Sequence, residues 1–577
     1  MVFPSRRGSR CGRHAAVSSE NGKGNGRDSQ LALRELQQQL MRLSPRRRME
    51  ALLEGADAAA VVRALPPESL YVTIQEVGLE DATELVQLVS PAQFRAFVDL
   101  GAWKRDKLDS HAVLTWLRAA RGGYDDTPEF LRKLHAVDME VLEYLLHELV
   151  AVHDLEENPD VNPQGVTLET PEGRYLVEIK AEGAEMSAVR ALVTDLIAEN
   201  PFEAVRLLEA VRWEVPAELE ETAFQFRKAR LLDLGFPTLE DAVALFSRVD
   251  VPARRSSNTT TPSGTAALTA PQGHVDYLDA AFRGLTEIER QNAEDELAGV
   301  ANAALVAELA DPGDLDAVRR VGEMVRDYLS LGLEHLTGAD PTQAIEVLRD
   351  TPLRRIFQTG FTLTLQLKFR ADRLAKSPGA VVDGVLLMLP EESAAMEALR
   401  RKRPRRTLKV EGAEPVPFRS LREVAASEAV LARAEAQVEV LRGVLGGTPQ
   451  AAHQAVARFG VPLETLGVER LFAAVVAMAV LDARPDARPV PLGRTVELGQ
   501  RLFEGSPQAP RLLASASERA VSGLEGAVAP EARAELRRMV GVTLTRLLSE
   551  LGAAWLEDAK WSPVASEVLP MESSPVP

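Results

Sequence analysis

The heptapeptide His-Glu-Leu-Val-Ala-Val-His, residues 147–153, opens like a zinc-hydrolase motif. In such a motif, His-Glu-x-x-His sets two imidazoles one turn apart on a helix with a glutamate beside them. The second histidine would have to stand at position 151, which is alanine. On a continued helix His153 falls about 240° from His147. Glu143 and His147 do share a face, but two ligands without a converging third make a poor zinc site. These histidines read instead as surface or capping groups near a helix C-terminus, where positive charge suits the dipole.

Two charge clusters could also do chemistry. Arg400, Arg401, Lys402, Arg403, Arg405 and Arg406, broken by Pro404, form the densest local charge. They could grip phosphates, an acidic partner or the protein's own acidic surface, or serve as a solvated connector. No aromatic ladder accompanies them, which speaks against single-stranded nucleic acid. Glu76, Glu80, Asp81 and Glu84 could gather a divalent cation, since hard cations want several converging oxygens. Helix capping by Asp81 and solubility are the simpler account. The chain has no Walker loop, no dinucleotide glycine fingerprint, no Gly-x-Ser-x-Gly elbow and no kinase set. The residues therefore point to no catalytic group, no cofactor and no metal, and favour a protein that is not an enzyme.

The elements carrying these residues are helical. Proline-led segments begin at Pro45, Pro67 and Pro91, at spacings of 22 and 24 residues. Proline suits a first helical turn, where its missing N–H would have no partner. Apolar residues follow at helical intervals, Leu70 and Ile74 answering Phe94 and Val98. Between them lie two runs that start with glycine and carry Asp57 or Asp81 in the first turn. Each repeat is then a hairpin of two short helices, which must stack on its neighbours to bury its apolar faces. The theme returns at 235–252, where Leu-Glu-Asp-Ala recurs at 239–242, and more faintly at 340–360 and 448–460. Residues 166–179 alternate apolar and polar around Thr170-Pro171-Glu172-Gly173 and read as a β-hairpin. Residues 361–369 alternate too, but Phe357, Phe361, Leu365 and Phe369 step by four, which favours helix.

Composition agrees. Aromatics make up only 5% of 577 residues, while apolar residues reach 45%, as in packed helices. A net charge of −18 argues against general nucleic-acid binding. Residues 1–50 run the other way, with eleven Lys/Arg against four Asp/Glu, or +7, which leaves −25 elsewhere. The one cysteine, Cys11, permits no intramolecular disulfide. The longest apolar run, Leu471 to Leu481, has 11 residues, too few to span a bilayer, and reads as a buried helix. The N-terminus lacks the apolar core of a signal peptide, so a cytoplasmic location without membrane insertion is expected.

Residues 57–67 (Asp-Ala-Ala-Ala-Val-Val-Arg-Ala-Leu-Pro-Pro) and 80–91 (Glu-Asp-Ala-Thr-Glu-Leu-Val-Gln-Leu-Val-Ser-Pro) carry a resemblance. The stretch 52–103 resembles the helical repeats of the intracellular N domain of MgtE-type magnesium transporters and, in style, those of the flagellar motor-switch protein FliG. The transporter's membrane region and nucleotide-binding regulatory pair have no counterpart here. Over most of its length the chain resembles an uncharacterised family of long bacterial cytoplasmic helical proteins, a domain of unknown function. That likeness implies a fold and brings no catalytic residues.

The expected class is mainly α, with tandem helical-hairpin repeats in a solenoid-like array, one small β-hairpin insertion and a second helical half. The expected divisions begin with a disordered arm (1–30), an MgtE-N-like repeat domain (31–157), a β-hairpin plus helical repeat (158–251) and a linker (252–274). A helical domain (275–399), a basic connector (400–419), a C-terminal helical domain (420–562) and a loose tail (563–577) follow. The leading functional expectation is a scaffold or adaptor that binds another protein, of undetermined oligomeric state. The alternative is a regulatory protein that senses a divalent cation or an anionic ligand.

Overall fold

The structure, a computed structural model, describes residues 36, 39–40, 42–54, 57–122, 127–252, 277–338, 340–408, 410, 412–558 and 568–572. The expected arm 1–30 and all of the linker 252–274 except Pro252 lie outside them. The fold is mainly helical, and the chain divides into two compact units. One comprises residues 1–234 with 311–318, the other residues 235–310 with 319–577.

The first unit begins with the repeats. Helices Pro45–Leu53, Pro67–Val77 and Pro91–Gly101 each start on proline, and the short helices Ala58–Ala64 and Thr83–Leu88 lie between them. Each helix packs on the next but one, so alternate helices form two stacked layers. Apolar faces from both layers meet in a core that includes Val62, Ile74, Leu85, Phe94 and Phe97.

Buried polar side chains staple successive repeats. Arg48 donates to Thr73 Oγ1 at 3.1 Å and to Glu76 at 3.0 Å. Gln93 closes a capping box with Ser90, then donates through Nε2 to the Val62 carbonyl at 2.9 Å and the Leu65 carbonyl at 2.8 Å. The short helices start differently from expectation. Neither Asp57 nor Asp81 caps a helix through its side chain; Asp81 precedes Ala82 at the start of Thr83–Leu88 and lies 3.8 Å from Arg46.

Residues 166–179 form the expected hairpin, strands Val166–Glu169 and Tyr175–Ile179, with Gly173 donating to the Thr170 carbonyl across the turn at 2.8 Å. A third strand, Val150–Asp154, pairs antiparallel on the other edge of Tyr175–Ile179. The single hairpin is therefore a three-stranded sheet, and three further two-stranded sheets occur among the described residues. A hairpin of two strands is marginal alone, and the third strand makes Tyr175–Ile179 the central strand, paired on both edges.

The second unit is built on long helices. Residues 361–369 are helical, inside Leu353–Ala375. That helix crosses the chain at Gly332 and Gly360 so closely that a Cβ at either glycine would lie 2.0 Å from a backbone oxygen of the other helix. The run Leu471 to Leu481 is buried throughout within helix Val468–Asp482, at the centre of a cluster with Leu441, Leu536 and Val540. The tail is not loose over its described part: Leu569 is buried in the same cluster, and Val490 pairs with Met571 in a parallel bridge. Two apolar residues, Val568 and Leu569, supply the burial that holds it. Among the described residues, no helix is long and apolar enough to cross a membrane.

Candidate functional site

The first unit holds an open cleft of about 530 Å³ where the helical array meets the sheet. Its walls come from five places: the tight strand pair Trp103–Lys104 and Lys107–Leu108, the start of helix Ser110–Arg121, the end of helix Met139–Leu149, residues 180–182 after the sheet, and the start of helix Gly183–Glu199. Arg105 takes a positive φ of 63° to make the strand pair turn, which aims both lysines at the cleft rim.

Most charges here are matched. Lys104 binds Asp109 at 2.6 Å, and Lys107 binds the buried carboxylate of Glu220 at 2.8 Å. Glu220 also accepts from the Leu108 N–H at 3.0 Å, fixing the strand pair to helix Pro216–Asp233. Partial burial works against the Asp109 carboxylate, but Lys104 and the Ala112 N–H outweigh it and hold it below the usual carboxylate range. His111 Nδ1 lies 3.0 Å from Glu185 and so ties together the two helix starts.

The unmatched groups are those free to meet a ligand. The Lys180 ammonium donates to the His147 carbonyl at 3.0 Å and keeps further N–H donors. Ser110 is only 7% exposed, and its hydroxyl bonds to no described residue. Burial pushes the Tyr144 phenol up, as do the nearby Glu220 and Glu148. Glu182 stands at the N-cap of helix Gly183–Glu199 but does not cap it through its side chain.

Ser110, His111 and Glu185 are the ingredients of a nucleophilic triad, yet they are not one. Consecutive helix positions diverge by about 100°, and no described base is hydrogen-bonded to the Ser110 hydroxyl. The cleft offers donors and acceptors of both charges without an activated nucleophile. Such a surface can hold a polar chain segment by hydrogen bonds and ion pairs.

The residues singled out from sequence are placed elsewhere. His147 closes helix Met139–Leu149, with its Nδ1 buried and lacking a hydrogen-bond partner. His153 is on a strand, not on a continued helix, and pairs with Glu178 at 2.9 Å. The Glu178 carboxyl is held low by His153 and by the N–H groups of Gly165 and Gln164. Glu143 is pushed up by burial and by neighbouring Glu140 and Glu214. Glu76 is drawn to Arg48 rather than toward Glu80, Asp81 and Glu84. Among the described residues, no three His, Cys, Asp or Glu side chains are placed to hold a metal ion.

The basic run is dispersed into the second unit. Arg400 pairs with Asp372 at 3.0 Å, and Arg406 pairs with Glu423 at 2.6 Å. Arg405 donates to the Pro415 carbonyl at 3.1 Å. Arg403 stacks 3.5 Å above the Phe246 ring, close to Phe361, and donates to Glu308 at 2.7 Å. Arg401 and Lys402 are exposed. Four of the six side chains are thus turned to partners within the unit and are not gathered into one patch.

Two-layered helical hairpins and a small sheet in one unit, and long helices in the other, define the class: a mainly helical protein with an N-terminal hairpin array. The chain belongs to DUF6178, a family of unknown function, whose profile matches residues 25–572. No curated protein and no solved structure matches it. The likeness of residues 52–103 to MgtE and FliG repeats rests on those residues alone.

Proposed function

We propose that the protein is a non-enzymatic scaffold or adaptor whose helical array binds a polar segment of another protein in the cleft beside Ser110 and Lys180. The observation that carries this reading is the cleft itself: wide, open, mixed in charge, with unmatched donors on a buried serine and a lysine. Stacked helical repeats present extended surfaces of this kind. The reading assumes a reducing compartment, which a chain with Cys11 as its one cysteine suits.

The test is co-purification from native lysate with tagged wild type and two cleft variants, Lys180→Glu and Glu148→Lys. A stoichiometric partner should accompany the wild type and fall at least about tenfold in both variants, a loss of about 1.4 kcal/mol or more. Absence of any stoichiometric partner, or equal recovery by all three proteins, overturns the proposal.

A further inference from the structure

Helix Pro201–Trp213 buries Ala204, Leu207, Leu208 and Val211 on one face. On the other, Phe202 is 87% exposed and Trp213 is 72% exposed. Eleven residues separate them, so they lie within about 20° of each other round the helix and roughly 16 Å apart along it. Aromatic side chains this large gain most from burial, which makes two of them left in water on one line an unfinished surface.

The charges between them are ordered. Arg206, with its side chain 80% exposed, and Glu209 lie on the same line. Glu209, half-exposed, accepts from the Tyr175 hydroxyl at 2.7 Å and lies 3.7 Å from Arg174, which fix its carboxylate in place on the helix face. Trp213 is steadied by the Arg212 guanidinium 5.3 Å from its ring, and Arg212 is itself bound to Asp154 at 3.1 Å. Arg206 is held only weakly, 3.6 Å from Glu203 on its own helix and within electrostatic reach of Glu143.

The four positions are symmetric about the point between Leu207 and Leu208. Phe202 and Trp213 are equally far from it, and so are Arg206 and Glu209. A two-fold axis through that point sets Phe202 of one copy against Trp213 of the other. It also sets Arg206 against Glu209, twice over. Isologous pairing demands this self-complementarity: a base must meet an acid when the same surface is read in reverse. We propose that the helix Pro201–Trp213 is the contact face of an antiparallel homodimer, with a second copy of this chain as its occupant. A helix about 20 Å long offers less than the roughly 800 Å² per partner of a standard interface, so the dimer forms reversibly and dissociates on dilution.

Sedimentation velocity on the full chain from about 1 to 100 µM tests this, with mass read against the 62.8 kDa protomer. The wild type should move toward twice that mass as concentration rises. Phe202→Ser with Trp213→Ser should weaken the dimer at least about tenfold. Arg206→Glu alone should weaken it too, and Arg206→Glu with Glu209→Arg should restore it, because the exchanged pair meets across the axis again. Unchanged helical circular dichroism in each variant shows that folding is intact. A monomer at every concentration overturns the proposal, as does a dimer indifferent to the aromatic pair. Failure of the double exchange to restore pairing overturns the antiparallel geometry. None of these outcomes touches Lys180 or Glu148, so the cleft reading stands or falls separately.

Discussion

At the scale of single residues, stability in the first unit depends on buried charge held in close geometry. Arg230 spans Asp99 at 2.7 Å and Asp138 at 2.6 Å, and Arg227 donates to the Asp99 carbonyl at 2.7 Å. Burial pushes the Asp99 carboxyl up while Arg230 pulls it down. Replacing Arg230 by Met leaves two carboxylates facing each other with no cation between them. The expected loss is about 3–5 kcal/mol, measured by urea unfolding at neutral pH. Without the guanidinium the Asp99 carboxyl, already pushed up by burial, loses the cation that pulls it down. The penalty of its charge is then full at neutral pH and relieved as pH falls, so the gap to wild type should narrow from pH 7 to pH 5. In the basic run, Arg403→Leu should cost about 1–2 kcal/mol through its lost stacking and ion pair. Arg401→Ala and Lys402→Ala should stay within about 0.5 kcal/mol, because exposed side chains contribute little. The run was conspicuous in sequence, but its partners Asp372, Glu308 and Glu423 are distant in the chain, so its dispersal was not.

Elements were legible where local chemistry decides them. Prolines marked helix starts at 45, 67 and 91, and the i+4 step of Phe357 and Phe361 overrode a strand-like alternation. Strand Val150–Asp154 was hidden because it follows a helix without a turn residue, and its reason to be extended is the pairing with Tyr175–Ile179. The cleft was illegible for the same cause. Lys104, Ser110, Tyr144 and Lys180 are spread over three elements and a connecting segment, and only tertiary packing gathers them. The Gly332–Gly360 crossing belongs to this scale as well. Alanine at either position would drive a Cβ into backbone that cannot step aside, at a cost of about 1–3 kcal/mol or more by thermal unfolding. Gly322, in the same helix Leu315–Thr337, has open space at its Cβ position. Gly322→Ala should therefore stabilise by roughly 0.5–1 kcal/mol through helix propensity.

For the whole molecule, the balance of perturbed carboxylates sets the response to acid. Partners hold Asp109, Asp154 and Glu178 low in the first unit, and Asp340, Asp372, Asp482 and Glu497 low in the second. Glu289, bound by the Thr286 N–H and Arg349, falls to about 2. A carboxyl depressed by folding contributes stability above its unfolded value and loses it as pH falls through its folded one. Asp99, Glu68 and Glu143, raised by burial, run the other way but are fewer. The melting temperature should change little from pH 7 to pH 5 and drop steeply below about pH 4, the ordinary carboxylate range. A melting temperature that holds steady down to pH 3 would contradict this.

The bridge between Val490 and Met571 has a kinetic meaning. Val490 donates to the Pro570 carbonyl at 2.8 Å, and Glu572 returns a bond to the Val490 carbonyl at 3.0 Å. Closing a flexible loop of some 80 residues costs on the order of 4 kcal/mol, so this contact gains little until the helices between its ends have packed. It forms late and is free to lift early, without asking the helix Val468–Asp482 to unfold. Hydrogen exchange should then find the Val490 and Glu572 amides opening well ahead of those from Leu471 to Leu481. The strap over the second unit would keep its own time, breathing on a clock separate from that of the core it covers.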